Sequence, residues 1–516
     1  MKIAKYFGAL VLAGTLTACG DDYLDPQYSS SVDAEQMKEA ATSDPDKVLG
    51  AQMSGIYANW SFSSPISTSG IMSHMSVGWP GIMMLSDAMS NDVAFDMNGD
   101  PWKFDHQLDY YAQEYVRSSQ PWNFCYTLIK GANEIIPQID STSTNKTALA
   151  YLGQAYAFRG ISYMLLPQFY QHPYSQYTKD MPCVPIYLTA AEADKATEGR
   201  ATVEQVYAIA ESDLLKAKKY LADFERTNKS QIDLSVVNGM LSRLYLVKRN
   251  WKAAAEAANA ARQASQLMDM TTALNSDYQD VLNPEVIWGV DITTSTCMIY
   301  ASFQSWMSAQ SVGYGGQVGA VRCIDKKLYD QIPASDVRKY LYYDKETAYE
   351  GGWNLPALAN KKFKYVADFM GDYIYMRTSE MYLTEAEALF MDGQTAQAGQ
   401  VLAEFMANRQ PDWNGLVTRA AIRLQRRIEL WGEGFSYFDH RRWNMDMDRG
   451  YEGSNADPST WPMHGANGTT PWYHYAWRYQ LPLREIQENE AIGEENQNPV
   501  GEEGNQDPSW KFPENQ

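Results

Sequence analysis

The most strongly patterned stretch of the chain is Ile422–Trp443, which reads IRLQRRIELWGEGFSYFDHRRW. On a helical wheel its arginines and its apolar side chains fall on opposite sides (Arg423, Arg426 and Arg427 against Leu424, Ile428 and Trp431). Glycine reaches positive φ at a helix end without a Cβ clash, so the helix is predicted to stop near Gly432 or Gly434. The aromatic and charged residues that follow favour a core element on which other helices dock, rather than a ligand site.

Helical hairpins are predicted on both sides of the middle of the chain. Two helix pairs have short breaks and alanine-rich faces that allow close packing: Ser235–Val247 with Trp251–Ser265, and Tyr382–Met391 with Thr395–Asn408. Further helices are predicted at Trp122–Ile136, Thr147–Leu166 and Val203–Leu221, the last opened by a capping box of Thr202 and Gln205. The pattern is typical of tetratricopeptide-like hairpins with an irregular period, so the predicted fold is mainly α.

Two regions depart from this helical pattern. Residues 60–120 are rich in Ser, Gly, Met and Asp, and residues 280–375 hold short strand-like runs, glycine pairs and aromatics. Both are interpreted as loop-built insertions that form a loop-rich ligand-binding lobe on the helical scaffold. After Asp448 the tail is predicted to be irregular and to end in a mobile acidic segment around Glu494–Gln506.

The N-terminus has the features of an export signal. Lys2 and Lys5 precede an apolar run, and Leu16-Thr17-Ala18-Cys19 fits a bacterial lipobox, in which cleavage leaves Cys19 to be acylated. Several acyl chains on one cysteine anchor a protein stably. We therefore expect a signal peptide at 1–18 and one lipid-anchored domain at 19–516, with hairpins in a part at about 19–270 and the fold completed by about 271–516. An ordinary secretory signal with a coincidental cysteine is the alternative.

Composition narrows the range of possible functions. The net charge of −20 argues against nucleic acid and anionic lipid headgroups as partners. Besides Cys19 the chain has four widely spaced cysteines, which are expected to be buried thiols or to form one bridge: Cys125, Cys183, Cys297 and Cys323. The sequence contains no H-E-x-x-H pair, no phosphate-binding loop and no G-x-S-x-G elbow, so the protein is predicted not to be an enzyme. A glycosidase carboxylate pair stays open, because such pairing is spatial.

A series of weak motifs runs in order along the chain, from Cys19 to about Pro499. They are Asp21-Asp22-Tyr23-Leu24-Asp25, Trp122…Tyr126…Ile129…Ala132-Asn133, Ala155…Phe158-Arg159-Gly160…Tyr163…Leu166, Pro182-Cys183-Val184-Pro185, Arg377…Glu380-Met381-Tyr382-Leu383, Arg426-Arg427…Glu429-Leu430…Glu433-Gly434…Phe438-Asp439…Arg441-Arg442-Trp443, Gln480-Leu481-Pro482-Leu483 and Gln497-Asn498-Pro499. Taken in this order, the motifs resemble those of the SusD/RagB family of outer-membrane lipoproteins of Bacteroidetes. In the opening stretch the resemblance departs at Ser436, where the family often has Arg, and at His440, where it often has Leu.

The resemblance implies a function that the residues alone do not. SusD-like proteins are non-enzymatic helical scaffolds that lie as lids on a SusC-like TonB-dependent transporter in the outer membrane. They bind glycan, or in some members peptide, at the cell surface and deliver it for import. By this resemblance we expect the same for this chain; a peptide-binding lid and a surface glycoside hydrolase are the alternatives.

Candidate ligand residues are predicted in the two irregular regions. Sugar rings bind flat aromatic faces flanked by polar side chains, and both features occur there together. The candidates are Trp79, Asp96, Asn98, Asp100, Trp102, Tyr300, Trp306 and Tyr314. Burial in the core is the alternative role for each aromatic ring.

No cofactor is predicted, although two short acidic runs have spacing that suits calcium. Asp96-x-Asn98-x-Asp100 resembles the first half of an EF-hand loop, but Pro101 stands where that loop needs Gly and Gln107 where it needs Glu. Asn444-x-Asp446-x-Asp448 has the same spacing.

Overall fold

The structure is a computed structural model, and it describes residues 34–62, 77–95, 102–193, 198–275, 278–298, 302–309, 315, 318–348 and 354–510. Helices dominate these residues, as predicted. They are α1 Ala34–Ser43, α2 Pro45–Phe62, α3 Gly78–Ala88, α4 Lys103–His106, α5 Val116–Ile135, α6 Lys146–Tyr170, α7 Ala190–Ala193, α8 Val203–Tyr220, α9 Leu234–Val247, α10 Trp251–Arg262, α11 Met270–Asn275, α12 Phe303–Met307, α13 Lys326–Tyr329, α14 Thr378–Met391, α15 Thr395–Ala407, α16 Arg419–Glu429, α17 Ser436–Arg442 and α18 Leu483–Glu488.

The strands are short and pair two by two, all antiparallel. The pairs are β1 Val93–Phe95 with β3 Arg322–Ile324, β2 Val286–Val290 with β6 Tyr373–Arg377, β4 Thr347–Ala348 with β5 Asn354–Leu355, and β7 Met447–Asp448 with β8 Thr469–Thr470. Single 3₁₀ turns lie at Ile136–Gln138, Val337–Leu341, Ala367–Phe369, Pro458–Thr460, Tyr475–Trp477, Glu494–Asn496, Glu502–Gly504 and Pro508–Trp510.

The predicted helical hairpins are confirmed. Helix α9 packs on α10, and α14 packs on α10, α15 and α16. Each hairpin turn contains one residue with positive φ, Arg249 (59°) in the first and Gly393 (82°) in the second. The capping box at Thr202 and Gln205 is present as predicted. The mainly α, tetratricopeptide-like fold class is thus what the chain adopts.

The stretch Ile422–Trp443 forms α16 and α17 with a sharp turn between them. Gly432 and Gly434 have φ of 78° and 83°, and a Cβ on Gly434 would lie 2.6 Å from the Met83 backbone. On α16, Arg423 and Arg427 are partly buried, and Arg426 is buried. Its guanidinium reaches Asp439 at 2.6 Å, which ties α16 to α17 and explains how the charge is tolerated inside.

A buried ionic cluster lies where this stretch meets β2, β6 and α15. Its members are four cations (Arg338, Arg377, Arg409 and Lys362) and four carboxylates (Glu285, Asp336, Glu429 and Glu433). Glu429 sits among three guanidiniums, at 3.0 Å from Arg409, 3.2 Å from Arg377 and 3.4 Å from Arg338. Burial favours the protonated acid, but the guanidiniums of Arg409, Arg377 and Arg338 hold the pKa of Glu429 well below its usual range. The stretch Ile422–Trp443 therefore contributes Glu429 and Glu433 to the ion pairs of the buried core.

The two departures from the family pattern meet at one carboxylate. Ser436 Oγ donates to Asp92 Oδ2 at 2.9 Å, and His440 Nε2 lies 3.9 Å from Asp92 Oδ1. Arg427 reaches the same carboxylate at 2.6 Å. Burial lowers the pKa of His440 to about 4, so its ring is neutral at pH 7. Asp92 directly precedes β1, so these contacts fix the start of the first irregular strand against α16 and α17.

A neighbouring carboxyl, Asp87 on α3, is predicted to make stability depend on pH. Burial raises the pKa of Asp87 to about 8, although the Gly434 N–H donates to its Oδ2 at 2.8 Å. A raised folded-state pKa stabilises the protein fully below the usual value and less as pH rises toward 8. We expect wild type to lose about 1–3 kcal/mol of unfolding free energy between pH 6 and pH 9 through this group. Asp87→Asn should flatten that loss in urea unfolding.

The control for this pH effect is Asp330→Asn, an exposed carboxylate that pairs with Lys326 across one helical turn. It should keep the wild-type slope. If Asp87→Asn kept that slope too, Asp87 would not be the group that titrates.

Cys125, Cys183 and Cys323 are buried free thiols, and Cys297 is a partly buried free thiol. Cys19 and the signal peptide lie outside the described residues. No helix in the described ranges is long and apolar enough to cross a membrane.

Candidate functional site

The two irregular regions, distant in sequence, are joined by the β1–β3 ladder. Val93 pairs with Ile324, Ala94 with Cys323 and Phe95 with Arg322. Both strands are fully buried. The fold therefore pairs a strand of the region 60–120 with a strand of the region 280–375.

The short helix α12 packs against side chains on both sides of this junction. On one side the Phe303 ring lies 6.3 Å from Tyr373, which lies 6.2 Å from Phe62 at the end of α2. On the other side the Arg322 guanidinium lies between Trp306, at 5.5 Å, and Phe95, at 4.4 Å. Residues that flank the irregular loops thus pack around one helix.

The three predicted tryptophans that the structure describes are core residues. Trp79 stacks on Trp60 with ring centroids 4.9 Å apart, and the Arg117 guanidinium covers the Trp102 ring at 4.5 Å. Trp79, Trp102 and Trp306 are 5%, 0% and 1% exposed. None offers an open ring face here. The prediction that these rings contact a ligand directly therefore gives way to the stated alternative, burial in the core. Their apolar area stabilises the base of the loops instead.

The other predicted ligand residues, Asp96, Asn98, Asp100, Tyr300 and Tyr314, lie outside the described residues. Their contact with ligand stays a prediction.

An open cleft of about 350 Å³ lies beside the junction, within the size range of small-ligand sites. We call it the aromatic cleft. Phe62 and Val290, which line it, belong to the two irregular regions. Its wall is aromatic and its rim is polar, with Tyr57, Trp60, Phe62, Trp288 and Tyr375 in the wall and Asn228, Ser230 and Gln231 at the rim.

The polar tips of the aromatic wall are held in place by neighbours. Tyr57 Oη accepts from the Ile232 N–H at 2.8 Å, and Trp288 Nε1 donates to the Ser230 carbonyl at 2.9 Å. Tyr375 Oη donates to Ser61 Oγ at 2.9 Å. Trp60 Nε1 is buried and has no hydrogen-bond partner among the described residues. The wall is therefore rigid, which lowers the entropy lost when a ligand binds.

No charged side chain belongs to the described lining of the aromatic cleft. Burial raises the pKa of Tyr57, so its phenol stays neutral. Hydroxyls, amides and aromatic faces without formal charge suit a neutral polyhydroxylated ligand.

Sequence reasoning missed this cleft. Asn228, Ser230 and Gln231 lie between two predicted helices, and nothing in their spacing marks them as ligand residues. The one available signal was the aromatic cluster Tyr57, Trp60 and Phe62 at the end of α2, just before the first irregular region.

Of the two acidic runs, Asp96-x-Asn98-x-Asp100 lies outside the described residues and Asn444-x-Asp446-x-Asp448 lies within them. In the described part of the chain no group of three or more His, Cys, Asp or Glu is placed to hold a metal ion. Asp446 Oδ1 accepts from the Trp472 N–H at 2.8 Å, and Asp448 pairs with Lys327 at 3.0 Å. Asn444 has a φ of 55°, so Asn444-x-Asp446-x-Asp448 forms a turn held by protein contacts.

The architecture defines a class of mainly α proteins that are built on tetratricopeptide-like hairpins and have a cleft beside the junction of two irregular regions. Two family models match this chain. One, described as "Starch-binding associating with outer membrane" and of SusD-like type, matches residues 79–246, and the SusD family model matches residues 370–501. The chain belongs to the SusD family. A comparison with curated proteins found no match.

Solved structures share the fold across almost their whole length. A SusD-like carbohydrate binding protein from Bacteroides vulgatus is 22% identical, with a TM-score of 0.72, covering 87% of this chain and 97% of that one. A SusD superfamily protein from Bacteroides thetaiotaomicron is 21% identical, with a TM-score of 0.71, covering 87% and 98%. Surface glycan-binding protein A from Bacteroides uniformis is 16% identical, with a TM-score of 0.61, covering 87% and 98%.

Proposed function

We propose that this protein is a cell-surface glycan-binding lipoprotein that delivers an oligosaccharide or polysaccharide to a SusC-like TonB-dependent transporter. Membership of the SusD family supports the proposal, as do the names of two structural neighbours, a SusD-like carbohydrate binding protein and a surface glycan-binding protein. The lipobox at Cys19 supports acylation and a place at the outer membrane, with residues 19–516 as one domain. The protein would bind its glycan without chemical turnover.

The observation that carries the proposal is the uncharged aromatic cleft between the two irregular regions. The rings of Tyr57 and Phe62 are partly exposed in it and offer apolar faces, and its rim offers amide and hydroxyl groups for sugar hydroxyls. Phe62 is only partly buried, so its ring is available at the mouth. Asn228 is exposed and its amide nitrogen has only a 3.5 Å contact with Thr227 Oγ1, so it can donate to a ligand. The proposal keeps Asp96, Asn98, Asp100, Tyr300 and Tyr314, which lie outside the described residues, as predicted ligand contacts.

We expect Phe62→Ala and Asn228→Ala each to weaken glycan binding roughly fivefold or more, because each removes a ring face or an amide worth about 1 kcal/mol. The measurement is affinity electrophoresis of the acylation-free protein through gels that contain each member of a polysaccharide panel, followed by calorimetry with the best ligand.

A matched control is Tyr340→Ala, which removes a 54% exposed ring from a surface turn outside the cleft and should bind like wild type. If no polysaccharide retarded the wild-type protein and the protein captured a peptide from a random library, the peptide-binding alternative would be favoured. Release of sugar products by the purified protein would instead favour the glycoside hydrolase. Retardation that both cleft variants keep would place the glycan elsewhere.

A further inference from the structure

A second groove lies on the helical scaffold, next to the aromatic cleft. It has a volume of about 440 Å³, within the size range of small-ligand sites. It lies between the first turn of α6 and the segment that follows α8. Three partly buried side chains, Leu149, Tyr220 and Phe224, form its apolar wall. We call it the second groove.

Close helix packing fixes the shape of the second groove. Helix α8 packs along α6, and Gly153 of α6 lies where the end of α8 comes closest, since a Cβ there would lie 2.7 Å from Leu221 Cγ. The Tyr220 ring stacks on Tyr156 of α6, with ring centroids 6.1 Å apart. The apolar wall is therefore held in place before a ligand binds, which lowers the entropy lost on binding.

The second groove and the aromatic cleft adjoin each other along the same two segments. Thr147 lines the groove while Tyr151 and Gln154 line the cleft, and this spacing places all three on one face of α6. Along that helix, the four steps from Thr147 to Tyr151 cover about 6 Å. On the facing segment, Glu225 lines the groove and Asn228 lines the cleft, at most about 11 Å of chain apart. The two openings therefore follow one another directly.

The piece of chain between the two openings is braced. Arg226 pairs with Asp233 at 3.0 Å and donates to the Ile287 carbonyl at 2.7 Å. The Thr227 N–H donates to Gln231 Oε1 at 2.8 Å. This piece is thus a fixed rim that the aromatic cleft and the second groove share.

Four exposed charged side chains of the second groove are available to a ligand: Lys146, Lys219, Asp223 and Glu225. None of them forms an ion pair or a side-chain hydrogen bond with another residue in the described ranges. Two are positive and two are negative, so the groove does not require a charged ligand. A sugar hydroxyl donates to a carboxylate and accepts from an ammonium group, so a neutral glycan can use both kinds.

We propose that the second groove is a further subsite for the glycan, and that one chain runs from the aromatic cleft past Thr147 into it. This inference rests on the proposed glycan-binding function and specifies the ligand. The ligand is a chain long enough to fill both openings, rather than a mono- or disaccharide. The second groove contributes a ring face at Phe224 and charge-assisted hydrogen bonds to hydroxyls.

The test is calorimetric titration of the acylation-free protein with oligosaccharides of graded length. The probes are oligomers of two, four and eight units, cut from the polysaccharide that retards the wild-type protein most in the affinity gels. Eight units should bind about tenfold tighter than two, because only the longer chain reaches the second groove.

Two variants separate new contacts from the larger number of registers in which a longer chain can bind a single subsite. Phe224→Ala removes a ring of the apolar wall, and Asp223→Ala removes an exposed acceptor. Each should reduce the gain of eight units over two by about fivefold. Phe62→Ala should instead weaken oligomers of every length. Asp180→Ala, which removes an exposed carboxylate outside both openings, is the control and should keep the whole gain.

Equal affinity of wild type for two and eight units would overturn the second subsite, and so would a full gain in both Phe224→Ala and Asp223→Ala. Either result would leave glycan binding in the aromatic cleft intact. If Phe224→Ala failed to fold, Asp223→Ala would still decide, since its side chain is exposed. Failure of every polysaccharide to retard wild type would overturn the glycan-binding function itself, and this subsite with it.

Discussion

Glu429→Gln is expected to lower the free energy of unfolding by about 3–5 kcal/mol, the range found when one partner of a buried ion pair is removed. The change keeps the side-chain shape but takes one negative charge from among Arg338, Arg377 and Arg409. The remaining carboxylates then no longer balance the four buried cations. Urea unfolding followed by circular dichroism at pH 7 measures the loss.

The pH dependence of this effect has a definite sign. The pKa of Glu429 is depressed in the folded state, so its contribution is present above the usual value of 4.5 and is lost as pH falls. The difference between wild type and Glu429→Gln should therefore shrink in acid. Glu488→Gln breaks an exposed ion pair with Arg484 and should cost no more than about 1 kcal/mol. An unfolding free energy for Glu429→Gln equal to that of this control would show that the cluster does not stabilise the fold.

Trp60→Ala is expected to have an effect of similar size, about 3–5 kcal/mol, through lost packing rather than lost charge. Trp60 lies between two other tryptophans, with ring centroids 4.9 Å from Trp79 and 4.9 Å from Trp288. It is 1% exposed, so truncation leaves a cavity at the floor of the aromatic cleft. The melting temperature, measured by calorimetry, should fall accordingly.

Trp510→Ala is the matched control for Trp60→Ala. Trp510 is partly buried and stacks on the exposed Tyr177 at 5.3 Å near the end of the described chain. Its removal should cost about 1 kcal/mol or less. A melting temperature for Trp60→Ala within the range of this control would mean that the three stacked tryptophans are not a stabilising unit.

The helices could be predicted from the sequence because their signals are local. The period of apolar residues and the capping box at Thr202 need no knowledge of distant parts of the chain. The predicted helix boundaries were wrong where tertiary contacts determine the residue at which a helix begins. Helix α5 starts at Val116, six residues before the predicted start, and accommodates Pro121 inside it. Helix α14 starts at Thr378, directly after β6, where the Thr378 N–H donates to the Glu285 carbonyl at 2.9 Å.

The acidic tail is a second place where tertiary contacts overrule a prediction made from the sequence. Its irregular backbone was predicted, but the predicted mobility of residues 494–506 does not fit the contacts observed. Asn498 Nδ2 donates to the Tyr170 carbonyl at 2.6 Å, and Arg478 reaches Pro499 and Gly504. The composition of the tail does not indicate these contacts with Tyr170 and Arg478. Its charge and glycine content therefore predicted a mobile segment.

The candidate site could be predicted only as a pair of regions. Strands of the regions 60–120 and 280–375 do pair, but a tryptophan in either region has the same sequence pattern whether it faces ligand or core. Trp79 is buried because Trp60 from α2 covers it, and Trp102 because Arg117 covers it. Such pairings depend on the tertiary fold, and so does the aromatic cleft, whose rim comes from the loop before α9.

The β1–β3 ladder has a consequence for the order of assembly. Three residue pairs join Val93–Phe95 to Arg322–Ile324, and the chain between them includes α9 and α10 and the strand β2. Closing so long a loop is entropically unfavourable until the intervening helices have shortened it. The helical hairpins should therefore form first and the ladder last. Amide hydrogens of β1 would then exchange with solvent by local opening well before those of the hairpins, while the helical scaffold stays folded.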